Sequence, residues 1–124
     1  MRQLIEPLNS IETPGYLVTS TADALDLLED AAHENLWIQY DVYHMQRMEG
    51  NLTANLRQHI AHIAHIQVAD SPARSQPGTG EINYPFIFQT LDEIGYDGWV
   101  SAEYKPLPDT PASLAWINEW NDRT

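Results

Sequence analysis

Short apolar runs alternate with amphipathic helical segments four times along this chain. The first run, residues 4–6, is Leu4-Ile5-Glu6, and Pro7 closes it. A loop through Pro14-Gly15 leads to Ser20, a predicted helix N-cap with Asp23 three residues on. The helix behind it carries Leu25, Leu28 and Ala32 on one face, at helical spacing. A second strand is predicted over residues 36–42, and its helix after Gly50-Asn51, with Leu52, Leu56, Ile60 and Ile63 on its apolar side. The third strand is predicted over residues 65–69, and a long loop follows over residues 71–80. Pro85 suits the first helical residue of the next segment, whose inner face is Ile87, Leu91 and Ile94 and which Gly95 or Gly98 ends. The fourth strand is predicted over residues 99–104. A last helix from about residue 111 to residue 120 would bury Leu114, Ile117 and Trp120.

Strands alternating with helices imply right-handed crossovers and a parallel sheet. The strands are mostly apolar, as a sheet covered by helices on one face and filled on the other requires. The expected class is therefore α/β, and the whole chain, residues 1–124, reads as one partial barrel domain. Four βα units are half of an eightfold (β/α)₈ barrel, which takes about 250 residues. The structural rival, a flavodoxin-like open sheet, would need a phosphate or nucleotide loop at its switch point, and none is legible.

Composition narrows the function. A chain that is 43% hydrophobic, with four Trp and six Tyr, can bury a core and is not expected to be disordered. A net charge of -12 repels nucleic acid. No stretch approaches the roughly 20 apolar residues of a membrane span, and the opening residues lack the features of a signal peptide. With no cysteine, thiolate metal sites and disulfides are excluded, which fits a cytoplasmic protein. An anionic ligand would need one of only six Lys and Arg residues to reverse the acidic field locally.

Near the C-terminal end of each strand stands one residue with a metal-binding oxygen: Glu6, Asp41, Gln67 and Glu103. They recur at about one βα unit, and in a barrel the C-terminal strand ends converge on the active site. Three carboxylates and an amide oxygen make a hard ligand set suited to Mg²⁺ or Mn²⁺. Other features read as structure. His59, His62 and His65 are evenly spaced, but a strand begins near the third, which disfavours a zinc cluster. Gly78-Thr79-Gly80 does not match a P-loop and reads as a tight turn. Asp70 is expected to brace its loop or Arg74, and the Trp and Tyr residues to serve packing.

Longer segments carry a resemblance. The run from Tyr40-Asp41-Val42-Tyr43-His44 to Gly50 resembles the Asp-x-x-His segment of hydroxypyruvate isomerases, in the xylose-isomerase-like TIM barrel family. So do His65-Ile66-Gln67-Val68-Ala69-Asp70-Ser71-Pro72-Ala73-Arg74, the following Pro77-Gly78-Thr79-Gly80-Glu81, and Gly98-Trp99-Val100-Ser101-Ala102-Glu103-Tyr104-Lys105-Pro106. Leu4-Ile5-Glu6-Pro7-Leu8-Asn9 is similar to the strand that precedes these in the family. The resemblance covers nearly the whole chain and implies the C-terminal half of the barrel. It implies metal ligation by Glu6, Asp41, Gln67 and Glu103, with Glu6 and Glu103 as the catalytic acid/base pair. The implied reaction interconverts hydroxypyruvate and 2-hydroxy-3-oxopropanoate, so the expected partner is a small hydroxy or keto acid. The resemblance also suggests that His44 contacts a substrate oxygen. Arg74 and Lys105 lie in the loops beside ligand strands; Arg74 is the expected grip on the substrate carboxylate, and Lys105 a weaker candidate. Family members carry further strands before the one that holds Glu6, so the expected assembly is self-association or a partner chain that completes the barrel.

Overall fold

Why the chain turns from strand to helix where it does is visible in its caps. The structure, a computed structural model, describes the backbone of residues 1–121 and the side chains of residues 1–118. Strand β1 (Gln3–Ile5) is followed by a long loop to helix α1 (Thr21–Ala31). Ser20 caps α1 by accepting from the Asp23 N–H, while the Asp23 carboxylate accepts from the Ser20 N–H. This reciprocal pair is the arrangement expected from the sequence. Strand β2 (Leu36–Asp41) passes directly into α2 (Val42–Met48), and Asp41 is the cap, its Oδ1 accepting from the N–H groups of Tyr43 and His44. Gly50 and Asn51, both at positive φ (63° and 49°), turn the chain into α3 (Leu52–His59). A single 3₁₀ turn over Ile60–His62 feeds β3 (Ile63–Val68). Helix α4 (Tyr84–Glu93) is capped by Asn83, and after it come β4 (Trp99–Ala102), α5 (Thr110–Ser113) and α6 (Ala115–Asn121).

The four strands form one parallel sheet in the order β1-β2-β3-β4. Side chains alternate across a strand. Ile38, Tyr40, Ile66 and Val68 therefore join Val42, Leu56, Ile87 and Leu91 in the buried layer between sheet and helices. The opposite face is polar toward the C-terminal ends of the strands. It carries Gln39 and Asp41 on β2 and His65 and Gln67 on β3, with Asp41 paired in register with Gln67. A polar inner face is what a site requires, and the apolar outer face is what holds the strands in place.

Several boundaries differ from the sequence expectation. Helix α2 takes Val42 from the predicted strand and fills the stretch before the helix predicted after Gly50-Asn51, because Asp41 serves as both strand end and helix cap. Ile63, expected on a helix, is the first residue of β3 and is buried there. Pro85 is the second helical residue rather than the first, since Asn83 takes the cap. Strands β1 and β4 end at Ile5 and Ala102, so Glu6 and Glu103 stand just beyond the strands rather than in them. The last helix is two helices broken at Leu114. Leu114 and Ile117 are exposed rather than buried, and the side chain of Trp120 lies outside the described residues. It is Trp116 that packs inward, stacked on Phe88 with ring centroids 6.0 Å apart. Among the described residues, no helix is long and apolar enough to cross a membrane.

Candidate metal centre

At the C-terminal edge of the sheet, β1 delivers Glu6 and β2 delivers Asp41, whose side chain is wholly buried. One ligand-capable atom from each of Glu6, Asp41 and His44 lies within 4.8 Å of the others. Each carboxylate is half-satisfied. Asp41 Oδ1 caps α2, but Oδ2 is buried without a donor. Glu6 Oε2 accepts from Gln39 Nε2 at 2.8 Å, but Oε1 is buried without a donor. Buried polar atoms are nearly always partnered, and two adjacent anionic exceptions need an explanation. A proton or a bound cation would meet that need. Burial pushes the Glu6 carboxyl up to about 7, with the charges of Asp41 and Glu103 adding to the effect. Burial likewise raises Asp41 to about 6, partly offset by the backbone N–H groups of His44 and Tyr43.

The remaining expected ligands reach the same edge by different routes. Gln67 Oε1 accepts from Gln39 Nε2 at 2.6 Å, so Gln39 bridges Glu6 and Gln67 across three neighbouring strands. Glu103, just past β4, is held by its backbone N–H to Val68 O, and its Oε2 accepts from Arg74 at 2.9 Å. Glu103 is thus at the site but turned to Arg74 rather than gathered with Glu6 and Asp41. Arg74 has a left-handed backbone (φ 58°), stacks its guanidinium over the Tyr43 ring at 5.3 Å, and also approaches Glu12 at 3.5 Å. Positive φ in a non-glycine residue is a feature of functional loops. Among the described residues, Lys105 touches this network only through its backbone N–H, which donates to Arg74 O. His44 is buried, and burial first, then the Arg74 charge, pushes its imidazole down to about 4. It is therefore neutral near pH 7, and its 4.0 Å approach to Glu6 is not an ion pair.

Four residues of this cluster carry no metal-binding or catalytic signal in the sequence. Asn9 is wholly buried against His44, and Gln39 is the bridge just described. Glu12 accepts from the Tyr43 hydroxyl at 2.8 Å. Burial alone would raise the Glu12 carboxyl, but bonds from Tyr43 and Asn9 and the charges of Arg74 and Arg47 hold it below the usual range. Tyr43, expected to be packing, is both packing and a polar link, because Arg47 donates to the same hydroxyl at 2.7 Å. The only prior clue was the spacing Glu6, Asn9, Glu12, which in a loop has no fixed geometric meaning.

The loop after β3 shows what the glycine turn is for. Asp70 is buried, and its carboxylate accepts from the N–H groups of Ser71, Gly78, Gly80 and Ile82. The turn does cradle an anion, but the anion is the protein's own Asp70. A Cβ on Gly80 would stand 2.0 Å from Ser71 O, so no larger residue fits this approach. Asp70 therefore braces the loop that carries Arg74, whose N–H donates to Asp70 O at 2.9 Å.

Comparison with known proteins gives a consistent picture. Residues 1–120 match the family described as xylose isomerase-like TIM barrel. Hydroxypyruvate isomerase of Escherichia coli K12 is 50% identical over 117 residues, which is 94% of this chain and 45% of that protein. A 2-oxo-tetronate isomerase of Cupriavidus necator is 41% identical, covering 97% of this chain and 46% of that protein. A solved structure, described as AP endonuclease family 2 from Brucella melitensis, superposes with a TM-score of 0.93 at 38% identity, covering 97% of this chain and 46% of that one. The chain spans about half the length of the curated relatives it matches.

Proposed function

The chain belongs to the xylose isomerase-like TIM barrel family, and on that premise we propose that it carries the metal-binding, proton-transferring part of an isomerase that interconverts hydroxypyruvate and 2-hydroxy-3-oxopropanoate. The observation that carries the reading is the pair of buried carboxylates Glu6 and Asp41, each with one oxygen left without a donor. The identity of 50% with a hydroxypyruvate isomerase supports the choice of substrate.

Glu6, Asp41, Gln67 and Glu103 would hold a divalent cation, Mg²⁺ or Mn²⁺, since all four offer hard oxygens. When bound, such a cation supplies Lewis-acid stabilisation of negative oxygen. The chain's own groups do the rest. The reaction moves one proton from C3 of hydroxypyruvate to C2, and one between the two oxygens on those carbons. One of the pair Glu6 and Glu103 takes the carbon-bound proton, leaving an enediolate, and the other, protonated at the start, gives a proton to the neighbouring carbon; proton exchange with water then restores the pair. Positioned proton transfer of this kind contributes about 10²–10⁴-fold. Arg74 is the group able to grip the substrate carboxylate by two parallel N–H donors. It must first leave Glu103, its partner here at 2.9 Å.

The test is an assay of the purified chain with hydroxypyruvate, with Mg²⁺ or Mn²⁺ and with EDTA, beside Glu103→Gln. Turnover that needs metal and is lost in Glu103→Gln is the expected result. A folded chain that binds metal and turns nothing over would overturn the catalytic reading and leave a metal-binding half-barrel. A second reading, an isomerase of a longer hydroxy keto acid, is favoured by the 41% identity to a 2-oxo-tetronate isomerase. It predicts faster turnover of the four-carbon acid than of hydroxypyruvate in the same assay.

A further inference from the structure

We infer that Asn9 is a positioning residue that holds His44 as the Nε2–H tautomer, so that His44 offers the site a hydrogen-bond donor and not a metal ligand; the catalytic use of that donor rests on the function proposed above. Distance alone would group His44 with Glu6 and Asp41 as a third ligand. The hydrogen bonds on the far side of the ring decide otherwise.

His44 Nδ1 receives two donors from one residue. The backbone N–H of Asn9 points at it from 3.1 Å, and Asn9 Nδ2 lies 2.7 Å away. The side-chain amide could be turned end for end only by breaking other bonds. Its Oδ1 accepts from the Glu12 N–H at 2.8 Å, and its Nδ2 also donates to Glu12 Oε2 at 3.3 Å. A backbone N–H cannot accept, so Nδ1 must present its lone pair. A neutral imidazole carries one ring proton, which is then on Nε2. A protonated nitrogen has no lone pair to give a metal.

Nε2 is the ring atom that faces Glu6, at 4.0 Å from Oε1, too far for a direct hydrogen bond. Among the described residues that N–H has no acceptor, so it points into the carboxylate cluster as a free donor. Burial favours the neutral ring, consistent with the lowered pKa of about 4. The consequence is a division of labour at one end of the sheet. Oxygens alone are left to hold the cation, and a neutral N–H beside them can polarise a substrate oxygen without adding charge. Asparagine suits this place where the isosteric aspartate does not. A carboxylate would compete with the backbone N–H for Nδ1 and draw the proton toward that nitrogen, away from Nε2.

The experiment is a long-range ¹H–¹⁵N correlation of the histidine side chains in the whole, metal-free, ¹⁵N-labelled protein, with His44 identified by its loss in His44→Gln. The expected wild-type pattern is a protonated Nε2 and an unprotonated Nδ1. In Asn9→Asp, which keeps the oxygen that caps the Glu12 N–H, the carboxylate pulls the proton toward Nδ1 against the unchanged backbone N–H, and a measurable share of the population is expected to carry it there. A protonated Nδ1 in the wild type overturns the inference, and this spectrum needs no variant to fold. An unchanged pattern in Asn9→Asp would overturn the role of the Asn9 side chain. Neither readout needs metal or turnover. A correct tautomer in a chain that does not isomerise hydroxypyruvate would thus count against the proposed reaction alone.

Discussion

A buried carboxylate oxygen with no donor pulls a protein toward either a proton or a cation, and Glu6 and Asp41 each have one. That sets a pH dependence with a definite sign. The Glu6 carboxyl rises from 4.5 to about 7 and Asp41 from 3.8 to about 6 on folding, so the folded metal-free chain binds protons more tightly than the unfolded one. Their contribution is fully present below the unfolded values and is lost as pH rises through about 6 to 7. Urea unfolding of Glu6→Gln beside the wild type isolates this from other acidic groups. The variant is expected to gain stability relative to the wild type as pH rises from about 5 to about 8, and a constant difference would contradict it. Asp41→Asn is expected to keep the α2 cap through Oδ1, to raise the unfolding midpoint of the metal-free chain near neutral pH, and to abolish stabilisation by Mg²⁺. Glu6 and Asp41 were legible in the sequence because a strand end fixes where a side chain points. Asn9, Glu12 and Gln39 were not, because their roles depend on which loops and strands meet across the sheet. Tyr43 was half legible: its burial follows from its type, its hydroxyl partners do not.

Elements were read well where one signal dominates and poorly where one residue does two jobs. The Ser20–Asp23 capping box and the apolar stripe of α4 gave their helices to within a residue or two. Helix α2 was hidden because its cap, Asp41, is also a strand end and a ligand candidate, and no separate start signal precedes Val42. The final helix is present over the expected stretch, but as two pieces that meet at Leu114. Its apolar positions Leu114 and Ile117 stay partly exposed, Ile117 in a groove beside Phe88 and Leu91, so the stripe borders the core without being covered. The loop from Asp70 to Ile82 is the element on which the position of Arg74 depends. Asp70→Asn replaces two accepting oxygens with one, leaving buried N–H groups unsatisfied at about 1–3 kcal/mol. Gly80→Ala drives a methyl into Ser71 O, with a cost of about 1–3 kcal/mol for overpacking. Both are expected to lower the thermal midpoint. A midpoint unchanged in either would show that the carboxylate does not organise the loop.

At the scale of the molecule, the half-barrel reading was open to sequence because four βα periods are counted, not inferred from fine geometry. What surrounds the sheet was less open. Among the described residues β1 and β4 each lack a neighbour on one side, and Trp99 on β4 is 82% exposed. Unpaired parallel edges with apolar residues favour pairing with another chain. Sedimentation of the isolated chain is expected to show concentration-dependent self-association, and a monodisperse monomer would contradict this. The net charge of -12 opposes close approach of two copies, so association is expected to strengthen with added salt. The cation site is the claim on which the proposed chemistry stands. It is tested most directly by Mn²⁺ titration of the isolated chain, followed by electron paramagnetic resonance, beside Asp41→Asn. A single saturable site per chain that disappears in Asp41→Asn is the expected result. Absence of saturable binding, or binding that Asp41→Asn leaves intact, would contradict a metal centre built on Glu6 and Asp41.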